Sequence, residues 1–202
     1  TPPASSSTRR ARGTGTATLL LVLVLLAAYL GMALSASRSK SVAFDELVHL
    51  FGGYSYWKTG DFRFVPENGN FPQRWAALPF LFSRPAFPPA NHPSWQQPDV
   101  WGLGAAFLTR SLNDPDQLLF QARLMIALLG ALTAALVFVW AREIHGLGGG
   151  FAALTLAVFC PALLAHGAIA TSDMALTCLL LAATFTWWRL LHRITAGRLQ
   201  IG

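Results

Sequence analysis

The chain has 202 residues, 53% hydrophobic and 12% charged, against the roughly 25% charge of a soluble domain. Its apolar residues fall in long uninterrupted runs, which excludes an ordinary soluble globule and points to an all-α polytopic membrane protein. The net charge of +6 would suit a nucleic-acid surface, but its placement is that of membrane topology, so no nucleic-acid partner is expected. Arg9, Arg10 and Arg12 precede the first apolar run, Arg142 follows the second, and Arg189, Arg193 and Arg198 end the last, all on one side if four spans alternate in direction.

Residues 1–16, rich in Ser, Thr, Arg and Pro, read as a disordered cytoplasmic tail. The first transmembrane helix is expected at 17–37, around TLLLVLVLLAAYLGMAL, within an uncharged stretch from Gly13 to Ser37. A signal peptide cleaved near Ala-Leu-Ser-Ala-Ser is the rival reading; either way the next segment is carried outside. That segment, 38–117, is balanced in charge and too long to be structureless. Within it, Asp45 to Trp57 reads as a short amphipathic helix with Phe44, Val48, Phe51 and Tyr54 as its stripe, ended by Gly60-Asp61. QRWAALPFLFS, residues 73–83, is too short to span and is expected as an interfacial helix. The stretch from Pro85 to Pro98 is Pro- and Trp-rich and irregular. Trp57, Trp75, Trp95 and Trp101 suit one headgroup layer, while Trp140, Trp187 and Trp188 suit the other.

Three further spans are expected at 118–141, 150–170 and 174–191, the third interrupted by Pro161, with a cytoplasmic end at 192–202. The turn His145-Gly-Leu-Gly-Gly-Gly150 lacks the Lys-Ser/Thr of a phosphate loop and reads as a tight interhelical connection. Cys160 and Cys178 both lie inside spans and read as packing residues.

With the N-terminus inside, Asp45, Glu46, His49, His166 and Asp173 all fall at the outer boundary of the membrane. Ionisable groups at that depth are functional candidates. Asp45 and His49 are four apart, one helical face. Asp45 and Asp173 each also suit a helix N-cap. Together, with a histidine, they are candidate ligands of a divalent cation, and hard oxygen donors favour Mg, Mn or Ca.

The segment Asp45-Glu-Leu-Val-His-Leu-Phe-Gly-Gly-Tyr-Ser-Tyr-Trp-Lys-Thr-Gly-Asp-Phe-Arg-Phe-Val-Pro-Glu67 resembles the first outer loop of bacterial relatives of the protein O-mannosyltransferases and aminoarabinose transferases. Gln73–Phe80, Gln121-Ala-Arg123, and Cys160-Pro161 through His166-Gly-Ala-Ile-Ala-Thr-Ser-Asp173 agree in order. The likeness covers about 17–192 and departs at Asn68-Gly-Asn-Phe-Pro72, where such proteins often carry His-Pro-Pro-Leu. It implies a glycosyltransferase of the bacterial plasma membrane, of which this chain is an N-terminal part. Such an enzyme moves a mannose-like sugar from a polyprenyl-phosphate donor to a hydroxyl of a protein or lipid acceptor, among membrane lipids, at the outer face. In that reading Asp45 is the base and Glu46 and Asp173 orient acceptor or metal. Arg74 and Arg123 are candidates to hold the leaving phosphate, and His49 and His166 to bind substrate. The alternatives are a transporter, or a non-catalytic membrane assembly subunit, with an external ion site.

Overall fold

The computed structural model describes residues 6–110 and 112–192, and among these every regular element is a helix. The chain runs α1 (Ser6–Arg38), α2 (Phe44–Thr59), α3 (Asn70–Ala76), α4 (Phe80–Ser83), α5 (Val100–Ala105), α6 (Pro115–Val158), α7 (Pro161–Gly167) and α8 (Asp173–Leu191). A π-helical turn, Ala106–Arg110, extends α5. The expected tail begins outside the described residues, and α1 reaches back to Ser6. The expected end at 192–202, with Arg193 and Arg198, lies outside them beyond His192.

Three of these helices are long and apolar enough to cross a membrane: α1 over Gly15–Arg38, α6 and α8. Their surfaces fit that solvent. Leu19, Leu20, Leu21, Leu23 and Val24 on α1 and Leu176, Leu179 and Leu180 on α8 are exposed, an arrangement stable only where the surroundings are themselves apolar.

The 44-residue α6 is not one rod. Gly146 has φ 72° and ψ −170°, a conformation open to glycine but not to other residues. The arms on either side, 115–145 and 147–158, pack on each other. The Phe138 and Phe151 rings lie 5.2 Å apart, and Phe138, Leu154 and Val158 share one buried cluster with Tyr29 and Ala127. The glycine-rich turn expected at 145–150 is therefore a chain reversal. The stretch expected as the third span at 150–170, interrupted by Pro161, is broken at Phe159–Cys160, where Pro161 starts α7, because proline has no N–H for the helix ladder.

Tyr29 joins the pieces of this bundle. Its hydroxyl donates to the Leu163 carbonyl at 2.9 Å and lies between Gly130 and Gly167, where no larger residue leaves room for it. Toward the end of the first arm of α6 and of α8 the rings of Trp140, Phe185 and Trp188 gather, Arg189 reaches Glu143 at 3.7 Å, and Trp187 is exposed.

The segment between α1 and α6 forms a packed cap over the other end. Phe51 sits among Phe64, Phe87, Trp95 and Phe107 at ring separations of 5.4 to 6.2 Å. This cluster continues without a gap into Ala122, Ile126 and Leu129 of α6 and Met174, Ala175 and Cys178 of α8, so cap and bundle share one core. Gly53 lets α3 press its Gln73 carbonyl directly against α2. The stripe expected on α2 is correct for Val48, Phe51 and Tyr54, which are buried, but Phe44 is exposed and lies on Trp101 with ring centres 4.0 Å apart. The interfacial helix expected at 73–83 divides into α3 and α4 around the turn at Ala77–Pro79. α3 rests on α6 through the Trp75 indole N–H, which donates to the Met125 carbonyl at 2.7 Å.

Candidate functional site

The cap closes on the bundle where α2 begins, and two adjacent carboxylates meet opposite environments there. Neither of the expected N-caps on Asp45 or Asp173 forms: the caps are Ala43 and Ser172, and both aspartates lie inside the first turn. This places Glu46 third in α2, where its carboxylate accepts from the Ala43 N–H at 2.8 Å, the backbone half of a capping box.

Glu46 is wholly buried and receives three more bonds: Arg123 Nε at 2.8 Å, Arg123 Nη2 at 2.6 Å and the Ala170 N–H at 2.7 Å. Arg123 is buried too, and each N–H of its guanidinium has a partner. Besides Glu46, these are the carbonyls of Ser37 at 2.7 Å, Lys40 at 3.0 Å and Ser41 at 2.8 Å. This paired fork is the geometry in which a buried ion pair offsets its desolvation. It ties the end of α1, the start of α2, α6 and the approach to α8 to a single point. Arg123 has no donor left for a phosphate, and Glu46 has no face open to substrate. The geometry gives both a structural role in place of the catalytic and phosphate-holding roles expected of them.

Asp45, one residue away, is exposed and makes no hydrogen bond or ion pair with any described residue. His49, one turn on, is buried. Burial pushes its pKa below the ordinary 6.5, against the opposing pull of Asp45, Asp173, Glu46 and Glu67. These carboxylates act on the imidazole from α2, the turn before α3 and the start of α8, and each favours its protonated form. Asp173 accepts from the Thr171 hydroxyl at 2.9 Å and faces His166 Nδ1 at 3.3 Å, and both partners of that pair are half exposed. The structure thus brings Asp45, His49, His166 and Asp173 to one end of the bundle, as the topology argument expected.

Glu67 belongs with them and was not singled out beforehand, although it closes the Val-Pro-Glu run quoted above. The Ala170 N–H on Glu46 had no sequence signal at all. In the wall formed by α3 the Gln73 amide is buried with neither its oxygen nor its nitrogen hydrogen-bonded, lying against Gly52 one turn along from His49. An orphaned polar group of this kind is uncommon in a folded chain.

Arg74 lies apart from this group. Its guanidinium stacks on the Trp57 ring at 3.9 Å, its Nε is buried without a partner, and it lines an apolar cleft of about 190 Å³ with Asn70, Phe71, Trp75 and Leu78. Among the described residues no three His, Cys, Asp or Glu side chains gather as a metal site would require. Asp45, Asp173 and a histidine, expected as ligands of a divalent ion, therefore do not form such a group.

No protein-family model, curated protein or solved structure shows significant similarity to this chain.

Proposed function

We propose that this chain is the N-terminal part of a membrane glycosyltransferase that takes a sugar from a polyprenyl-phosphate donor and transfers it to a hydroxyl of a protein or lipid acceptor at the outer face. Four passes serve this reading, with 147–167 as a broken third pass between α6's first arm and α8. The observation that carries it is the exposed, unpaired Asp45 carboxylate one helical turn from the buried His49, whose imidazole also feels the charges of Glu67 and Asp173. Transfer to a hydroxyl needs a base at the acceptor oxygen, and an unpaired carboxylate at that boundary meets the requirement. Asp173 and Glu67 orient acceptor hydroxyls around it, His166 sets the Asp173 carboxylate, and the Gln73 amide is available to a polar ligand. Arg74, on its Trp57 platform beside an apolar cleft, faces the donor's phosphate and first isoprene units.

The test is sugar transfer from a polyprenyl-phosphate donor by the full-length protein, with and without EDTA. Asp45→Asn is expected to lower transfer by about 10²–10⁴-fold, while Asp61→Asn, in an exposed ion pair with Arg63, leaves it unchanged. Normal transfer by Asp45→Asn rules out the base assignment.

The break at Phe159–Cys160 favours a second reading, a transporter with an external ion site, since discontinuous helices are where transporters bind their cargo. Ion flux into proteoliposomes that is lost in Asp173→Asn would support it.

A further inference from the structure

We propose that the cleft between the end of α1 and the first turns of α6 binds the phosphate group of an anionic membrane lipid. This stands independently of the transferase reading, and none of the cleft's residues belongs to the Asp45 group.

The cleft measures about 280 Å³ and is lined by Ser37, Arg38 and Lys40 from the end of α1 and by Asp116, Leu119, Phe120 and Arg123 from α6. Its depth follows from the sequence. Arg38 is the first charge after the apolar run of α1, and Asp116 stands in the first turn of α6. Both helices are long and apolar enough to cross a bilayer, so their adjoining charged ends lie at the headgroup layer.

The charges of the lining favour an anion. Arg38 and Lys40 are exposed and form no ion pair with any described residue. The Arg38 guanidinium is held over the Phe120 ring at 4.9 Å, which orders it without neutralising it. Asp116 is the one acid in the lining, so the two cations outnumber it. The end of a helix ordinarily presents carbonyls that repel an anion. Here the Ser37 carbonyl of the last turn, and the Lys40 and Ser41 carbonyls just beyond the helix, accept hydrogen bonds from Arg123. The α6 N-terminus contributes little, because the Asp114 side chain already accepts from the Asp116 and Gln117 N–H groups. Recognition therefore falls to the two side chains, with the buried Ser37 hydroxyl as an unpaired donor in the wall.

The remaining wall decides between a lipid and a free ion. Leu119 and Phe120 lie directly beside the cations, so a phosphate held there has an apolar surface for its first carbons. The volume is near the lower end of small-molecule sites, about 300 Å³. It suits a headgroup phosphate whose chains run down the outside of α1 and α6.

The test uses the purified chain in a neutral detergent, titrated with dihexanoyl phosphatidylglycerol, dihexanoyl phosphatidylcholine or inorganic phosphate, reading the unfolding midpoint. Phosphatidylglycerol is expected to raise it by mass action, with neither of the others doing so. Arg38→Gln and Lys40→Gln should each weaken the apparent affinity about fivefold, and the double variant should lose the shift measured against its own ligand-free midpoint. Arg84→Gln, an exposed cation outside the cleft, should keep it. An undiminished shift in the double variant, or an equal shift with phosphatidylcholine, overturns the proposal. An equal shift with inorganic phosphate shows an ion site and overturns the lipid assignment.

Discussion

Asp45 and Glu46 are neighbours in sequence and opposites in the fold. About 100° of helical rotation separates them. It turns Glu46 inward to Arg123, the Ala43 N–H and the Ala170 N–H, and turns Asp45 outward with no partner. The first region is a saturated junction in which every guanidinium N–H of Arg123 and both carboxylate oxygens of Glu46 have a fixed counterpart. The second is an open set at the same end of the bundle, the exposed Asp45 and Glu67 and the half-exposed His166–Asp173 pair. The difference teaches that the role of a carboxylate at a membrane boundary is set by how many of its lone pairs are already taken, more than by its charge or position.

The sharpest way to break the comparison is to attack the junction. Arg123→Ala leaves Glu46 buried and unpaired and should cost about 3–5 kcal/mol, measured by reversible unfolding in detergent. The double variant Glu46→Met with Arg123→Met should cost much less than the two single variants summed. Strict additivity would mean that the pair does not act as a unit. Next in size is Gly53→Ala, whose new methyl meets the Gln73 backbone and should cost about 1–3 kcal/mol. Gly148→Ala, in the second arm of α6 with open space around it, should instead gain up to about 1 kcal/mol.

His49 stands between the two regions and gives a smaller effect through pH. Its folded pKa lies below the ordinary 6.5 because of burial, so below that pH the unfolded chain binds a proton the folded chain resists. Stability is then full above about 6.5 and falls as the pH drops toward the folded value. His49→Gln should flatten that part of the stability curve, and an unchanged slope would show that the imidazole does not contribute to it. The smallest effect belongs to the open region. Asp45→Asn should change stability by less than about 0.5 kcal/mol, as for a surface position. A larger loss would mean that Asp45, too, is part of the junction.

The open region was largely legible in the sequence. Counting basic residues around apolar runs placed Asp45, His49, His166 and Asp173 at one boundary, and the fold assembles them at one end of the bundle. The junction was legible only as a list of charges. Nothing in Gln121-Ala-Arg123 says that its guanidinium turns inward to three carbonyls of the α1–α2 connection. Local signals erred at the caps, where Ala43 and Ser172 displaced Asp45 and Asp173 because the Glu46 bond and the Thr171–Asp173 contact set where each helix starts.

Composition and spacing by themselves determined that this is a helical chain with apolar spans, where its cap lies, and which acidic and histidine residues face one end. Those properties follow from the length and period of apolar runs, which are local. Tertiary structure alone decided that Gly146 reverses α6, that α7 is separate, that Tyr29 is clasped by Gly130 and Gly167, and that Glu46 rather than Asp45 is the buried acid. Each depends on groups distant in sequence coming within hydrogen-bonding or van der Waals reach, and both the cost of burying a charge and its relief by a partner are settled only there.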